Sequence, residues 1–268
     1  VASIDDEAAQ ISATLSELEL VHRRRGLVLF GHSIGGWIAT QHLLDGSKEE
    51  APSAGTGIAE EQFRNVPLLV LAMPYLEFDP RGKQAMLSAL FGLPFFDDIA
   101  KALSLCALAL PNSVKAFFAG FHGGDLHRDT VLRTFLSQAH HIPNVPLLAR
   151  TELSRLDPQA TQGGGMDELL PLLRRPQRPP ILAMYTRGDM WAPIRHAEKL
   201  RATLERAAAE APAALAQADE ILDLSNADTS GCSAPPPHAF VLAQSDSKVM
   251  ADLVADRIAK RVANALRS

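Results

Sequence analysis

The length, composition and charge of the chain favour one large globular domain and exclude several classes of protein. The chain has 268 residues, of which 47% are hydrophobic and 21% are charged, so it is neither a disordered polymer nor a fibre. Its formal net charge is -5 and no basic run is longer than the three arginines at 23–25, which does not favour nucleic acid as a partner. The two distant cysteines, Cys106 and Cys232, do not make a disulfide framework and suit a reducing, intracellular compartment.

The chain opens with a predicted helix followed by a predicted strand. Ser3 precedes acids at 5–7, a pattern typical of a helix N-terminus, and cations gather in the last turn near His22. The unbroken apolar run at 27–30 predicts a strand that is buried on both faces, as in a parallel sheet. A glycine-rich turn and a second helical pattern follow directly.

The rest of the chain alternates apolar runs with helical patterns. Further strands are predicted at 66–73, 180–185 and 220–224, and further helices at 167–174, at 193–210 and around residues 249–262. This alternation predicts an α/β fold with a mostly parallel sheet and helices on both faces. Residues 45–65 and 225–237 are predicted to be loops. Residues 75–165 show no comparable strand, so we expect a single domain, 1–268, with a helical lid inserted at 75–165.

The turn after the first strand carries a serine nucleophile motif. Gly31, His32, Ser33, Ile34 and Gly35 match the pattern G-x-S-x-G between a strand and a helix, the context that makes this short motif specific. A sharp turn lifts the serine hydroxyl clear of the sheet, and the flanking glycines leave room where side chains would collide. The backbone N–H of Ile34, at the helix N-terminus, is expected to stabilise an oxyanion. The alternative is an ordinary serine in a glycine-rich turn.

A base and an acid for Ser33 are predicted from the chain order Ser, Asp or Glu, His. His238 lies in a loop before the last helix and is the best candidate for the base. Asp189 follows the strand 180–185 directly, where such sheets place active sites, and is favoured as the acid. Glu77 and Asp79, just after the strand 66–73, stay open as alternative acids. No zinc-ligand spacing or phosphate loop is present, so neither a metal nor a cofactor is expected.

Three segments of the chain resemble the lipid droplet-associated hydrolase family of the α/β-hydrolase superfamily. They are residues 31–35, 185–193 and 237–242, and the tail 250–256 continues the likeness. The resemblance implies a serine lipid hydrolase on lipid droplets and the cytosolic face of the endoplasmic reticulum, favouring sterol esters over triacylglycerol. It also implies Ser33 as nucleophile, Asp189 as acid and His238 as base. Because members have strands and a second oxyanion donor upstream, we expect that a segment before Val1 is missing.

The partners and the function keep alternatives at this stage. Apolar stretches within 86–121 are too interrupted to span a bilayer, and they suit either an interfacial helix on a phospholipid monolayer or a cap over the site. The first hypothesis is hydrolysis of hydrophobic acyl esters through an acyl-enzyme. The alternatives are a droplet recruitment protein with vestigial catalysis, and an acyltransferase that uses the same triad.

Overall fold

The computed structural model describes most of the chain in eight ranges: residues 3–22, 27–45, 66–111, 141–157, 165–212, 219–226, 238 and 244–265. Residues 46–65 of the predicted loop 45–65, residues 112–140 of the predicted lid and residues 227–237 of the predicted loop 225–237 lie outside the described residues. The chain divides into two compact units. One comprises Val1–Ser3, Pro80–Ser154 and Thr229–Ser268, and the other comprises Ile4–Asp79 and Arg155–Asp228.

The second unit contains a parallel sheet of four strands. They are β1 (Val28–His32), β2 (Leu68–Ala72), β3 (Ile181–Tyr185) and β4 (Glu220–Asp223), in the order β1-β2-β3-β4. Each neighbouring pair is parallel. The predicted α/β fold and all four predicted strands are therefore confirmed, with ends that differ by at most two residues.

The two central strands are buried on both faces, and the first strand is not. All residues of β2 and β3 are buried, which explains their continuous aliphatic sequences. In β1, however, Val28 is 37% and Phe30 47% exposed, whereas Leu29 and Gly31 are buried. The expectation that this run is buried on both faces is wrong. The reason is its position: β1 is an edge strand of the described sheet, and α2 (Ile34–Asp45) covers the face that carries Gly31.

The described helices of this unit pack on one another and on the sheet. They are α1 (Ile4–His22), α2, a 3-10 helix (Gly165–Leu169), α6 (Leu170–Leu173) and α7 (Ile194–Glu210). Helix α1 packs on α2, α2 packs on β1, β2 and α6, and α7 packs on β3, β4 and α6. Pro193 precedes α7, where the missing N–H of proline costs nothing. Coverage of both faces of the sheet by helices stays a prediction.

The other unit is helical in the residues described. It contains α3 (Lys83–Phe91), α4 (Phe96–Ala109), most of α5 (His141–Arg155) and α8 (Gln244–Ala265). The described part of residues 75–165 holds helices and no strand, as expected for a helical insertion, but its role as a lid stays a prediction. Across the ranges that are described, no helix is both long and apolar enough to cross a bilayer.

A buried ion pair joins the amino ends of β3 and β4. Nη1 of Arg178 donates to Oδ1 of Asp219 at 2.8 Å, and Nη2 donates to Oδ2 at 2.5 Å. The same Oδ1 accepts the backbone N–H of Ile181 at 2.9 Å, and Nε of Arg178 donates to the carbonyl of Leu173 at 3.1 Å. The Arg178 side chain is 4% exposed. This clasp therefore fixes where the last two strands begin.

Replacing Arg178 with methionine is expected to lower the free energy of unfolding by about 3–5 kcal/mol, because it leaves the carboxylate of Asp219 poorly solvated and without its cation. Urea denaturation of the two proteins measures the difference. The double variant Arg178→Met/Asp219→Leu is the control and should lose less, since no lone buried charge remains. An equal loss in the single and double variants would contradict the ion-pair explanation.

Candidate active site

The backbone of Ser33 is strained and held at three points. Ser33 follows β1 directly and has φ 55°, a left-handed conformation that is uncommon for a residue other than glycine. Its N–H donates to the carbonyl of Ala72 at 3.1 Å. Its own carbonyl accepts the N–H groups of Gly36 and Tyr75, both at 3.0 Å. These bonds hold the sharp turn between strand and helix that the motif predicts.

Two glycines of the elbow, residues 31–36, are closely packed, but only one of them is among the two glycines for which crowding was expected. A Cβ at Gly31 would lie 2.5 Å from the carbonyl oxygen of Gly35 and 2.6 Å from Cα of Gly36. A Cβ at Gly36 would lie 2.9 Å from Cβ of Pro74. A Cβ at Gly35 would meet no described atom within 4 Å, so the predicted need for glycine there for lack of room is wrong. Pro74 instead crowds Gly36, one position after Gly35.

The residues beside Ser33 lie where the motif predicts. His32 ends β1, pairs in register with Ala72 and is half-buried. Ile34 is the first residue of α2, and the first N–H groups of a helix have no partner within the helix and lie at the positive end of its dipole.

Glu168 anchors the helix that begins at Ile34. Its carboxylate accepts a hydrogen bond from Nε1 of Trp37 at 3.4 Å and one from Gln41 at 3.3 Å, both in α2. Arg155 donates to the same carboxylate at 2.7 Å and lies over the Trp37 ring, 5.1 Å from its centroid. These contacts fix the orientation of α2 and so of the N–H groups at its start.

Met73 is a structurally important residue that the sequence did not reveal. It is fully buried, follows β2 and has φ 46°, whereas a residue before proline usually stays extended. Its N–H donates to the carbonyl of Met184 at 2.7 Å. The turn at Met73 brings Pro74 against Gly36 and the N–H of Tyr75 to Ser33. No local pattern in the sequence signals this conformation.

Asp189 lies at the carboxyl end of β3, in the loop 186–192, which we call the Asp189 loop. The loop turns at Gly188, which has φ 82°. Asp189 is 8% exposed, and its Oδ1 accepts the N–H groups of Trp191 at 2.8 Å and Ala192 at 3.0 Å. The local backbone thereby fixes the orientation of the side chain.

A short chain of contacts links Ser33 with Asp189. Tyr75, whose N–H binds the carbonyl of Ser33, packs its ring edge-to-face on Trp191, with 5.8 Å between ring centroids. Trp191 in turn donates its N–H to Asp189. The structure thus brings the predicted nucleophile and the favoured acid to the same edge of the sheet.

The two alternative acids are engaged with cations from α7. Both oxygens of Glu77 lie 2.5 Å from Nζ of Lys199, and Oε2 accepts the N–H of Met166 at 3.1 Å. Asp79 forms an ion pair with Arg195. Both carboxylates are buried. They join the loop after β2 to α7 and to the 3-10 helix, which is a structural arrangement.

The histidines divide between the two units. His238 is half-buried and belongs to the unit that includes Thr229–Ser268, so its meeting with Ser33 and Asp189 stays a prediction. His196, in the first turn of α7, is buried, and within the described part of the chain its Nδ1 has no hydrogen-bond partner. Burial lowers the pKa of His196 to about 4, against a smaller opposite effect of the Glu77 charge, so this ring is neutral at pH 7.

No metal site accompanies these residues in the described ranges, where no three His, Cys, Asp or Glu side chains are grouped as ligands of one ion.

Comparisons with known proteins point to one family. The family model described as lipid-droplet associated hydrolase matches residues 4–241. A search of curated proteins gives no match. Among solved structures, a thermophilic esterase from Thermogutta terrifontis with malate bound is similar at 14% sequence identity and a TM-score of 0.45, covering 97% of this chain and 74% of that one.

Alanine substitutions at the two neighbouring glycines of α2 should have different effects on stability. Gly36→Ala forces a methyl group against Pro74 and is expected to lower the free energy of unfolding by about 1–3 kcal/mol. Gly35→Ala meets open space in a helix and is expected to be neutral or to gain up to about 1 kcal/mol. Urea denaturation of both variants measures this, and a similar loss in both would contradict the packing described.

Proposed function

Because the chain belongs to the lipid-droplet associated hydrolase family, we propose that it is a serine ester hydrolase that cleaves lipid esters with a hydrophobic acyl group. The observation that carries the proposal is the backbone of Ser33, strained at φ 55° and held by three hydrogen bonds at the carboxyl edge of a parallel sheet. Ser33 is the nucleophile, His238 the base and Asp189 the acid. Sterol esters and acylglycerols are the substrates that we propose.

The proposed reaction proceeds through an acyl-enzyme. His238 takes the proton of the Ser33 hydroxyl as the oxygen attacks the ester carbonyl. The N–H of Ile34 stabilises the oxyanion of the tetrahedral intermediate. The C–O bond of the ester then breaks, and the alcohol leaves with the proton from His238. Water, activated by the same imidazole, attacks the acyl group, and the carboxylic acid leaves as Ser33 regains its proton.

Asp189 is preferred to Glu77 and Asp79 because of what already binds each carboxylate. Lys199 and Arg195 neutralise the two alternatives, and a triad acid paired with a lysine or arginine would stabilise an imidazolium poorly. Oδ1 of Asp189 instead accepts two backbone N–H groups. These bonds orient the carboxylate through the backbone of its own loop.

A second role, attachment to the phospholipid monolayer of a droplet or to the cytosolic face of the endoplasmic reticulum, is favoured by an apolar surface on α3 and α4. Phe95 is 76% exposed at the turn between these helices, beside Leu93 at 52%. The same two helices expose further large apolar side chains: Met86, Leu90, Ile99 and Leu105. Such a surface stays in water at a cost and gains free energy when it enters an interface. Recruitment to droplets with vestigial catalysis is the corresponding alternative function.

The hydrolase proposal predicts a specific order of effects among four proteins. With a soluble p-nitrophenyl ester, Ser33→Ala is expected to lower kcat on the order of 10⁶-fold and to abolish labelling by a fluorophosphonate probe. Asp189→Asn should lower kcat by about 10⁴-fold, because the imidazole loses the partner that orients it and balances its charge. Glu77→Gln keeps an acceptor for the N–H of Met166 and is expected to stay within tenfold of the parent chain.

The outcomes separate the alternatives. Equal labelling of the parent chain and Ser33→Ala would reject the nucleophile. A loss in Glu77→Gln that exceeds the loss in Asp189→Asn, with both variants folded, would move the acid to the loop after β2. Product analysis with an added alcohol distinguishes hydrolysis from acyl transfer, since an acyltransferase would form the new ester instead of the free acid.

The attachment proposal predicts that Leu93→Ser/Phe95→Ser weakens binding to triolein droplets coated with phosphatidylcholine by at least tenfold, because two large apolar side chains no longer enter the monolayer. Flotation of the protein with the droplets measures binding. Ile11→Ser/Leu18→Ser removes two exposed apolar side chains of α1 and is the matched control. Equal loss in both double variants, or no loss in the first, would contradict attachment through α3 and α4.

A further inference from the structure

We propose that Asp223, the last residue of β4, is a positioning residue that holds the Asp189 loop against residues 224–226. This inference rests on the proposed function. Asp223 pairs in register with Tyr185, the last residue of β3, so it lies beside the start of the Asp189 loop.

One side of Asp223 binds the Asp189 loop. Its Oδ2 accepts a hydrogen bond from Nε of Arg187 at 3.2 Å. The backbone N–H of Arg187 donates to Oγ of Ser225 at 2.7 Å, and the N–H of Leu224 donates to the carbonyl of Tyr185 at 2.7 Å. The loop is therefore tied to residues 223–225 through both a side chain and the backbone.

The other side of Asp223 shapes the chain as it leaves the sheet. Its Oδ1 accepts the N–H of Ser225 at 2.9 Å, and its Oδ2 accepts Nδ2 of Asn226, also at 2.9 Å. The N–H of Asn226 donates to the backbone carbonyl of Asp223 at 3.1 Å. A side-chain oxygen that binds the N–H two residues later is the geometry of an Asx turn. This turn fixes the backbone of residues 224–226 beside the Asp189 loop.

The position of Asp223 indicates a role in geometry more than in stability. Its ion-pair partner Arg187 is 65% exposed, and ion pairs of that kind add little to folding. The carboxylate nevertheless contacts the loop of the proposed acid through Arg187 and the neighbouring backbone through Ser225. A displacement of about 1 Å between catalytic groups can cost on the order of 10²-fold in rate.

The opposite end of the same strand offers a matched control. Asp219 precedes β4, Asp223 ends it, and both are aspartates that bind an arginine and backbone N–H groups. Asp223→Ala should lower kcat for a soluble p-nitrophenyl ester by about 10–100-fold, with little change in KM and in the urea midpoint. Asp223→Asn keeps an acceptor for Ser225 and should recover part of the rate. Asp219→Asn should lower the urea midpoint and leave kcat unchanged under folding conditions.

The results decide between a positioning role and a structural one. The inference would be overturned if Asp223→Ala kept the parental kcat. It would also be overturned if Asp223→Ala lost kcat while its urea midpoint fell as far as that of Asp219→Asn. No rescue by Asp223→Asn would overturn the part assigned to the Asx turn. Failure of the fluorophosphonate probe to label the parent chain would reject the proposed hydrolase itself. If the probe instead labels the parent chain and Asp223→Ala, and the two are equally reactive, only the positioning role fails.

Discussion

The candidate site depends on the hydrogen bonds that fix the backbone of Ser33. A left-handed conformation costs a residue with a side chain roughly 1–2 kcal/mol, so the turn persists because its surroundings determine it. Strand β2 supplies these surroundings: the carbonyl of Ala72 accepts the N–H of Ser33, and the chain beyond Met73 returns the N–H of Tyr75 to its carbonyl. The elbow therefore depends on both β1 and β2, and the five-residue motif accounts for only part of it.

The three carboxylates at the carboxyl edge differ in what compensates their charge. A buried carboxylate is costly unless it is paired or well hydrogen-bonded. Helix α7 presents Lys199 to Glu77 and Arg195 to Asp79, so these two groups become structural links between the loop after β2 and the helix. Asp189 receives the N–H groups of its own loop instead. Helix α7 follows that loop directly. The loop and α7 are therefore one continuous stretch of chain, which binds the carboxylates of Glu77 and Asp79 and also orients that of Asp189.

The sequence predicts what depends on neighbours along the chain and fails where distant residues decide. The four strands, the elbow and the loop at Asp189 follow from apolar runs and glycines that lie within a few residues of each other. The crowding at Gly36 comes from Pro74, more than thirty residues away, and the motif therefore suggested Gly35. The conformation of Met73 and the exposure of Phe30 likewise depend on which strands and helices are adjacent, and hydrophobicity alone does not encode adjacency.

The two ends of strand β4 differ in the role that we assign to the aspartate there, which is stability at one end and function at the other. At its amino end the carboxylate of Asp219 lies in a buried pair with Arg178, where any change alters the folded state as a whole. At its carboxyl end Asp223 binds an exposed arginine and two loops, where we expect a change to move the loops and leave the core intact. Parallel sheets concentrate their chemistry at the carboxyl edge because the loops there are anchored by the strands yet free to vary. The same residue type, four positions apart, therefore has different physical consequences because the sheet has two unlike edges.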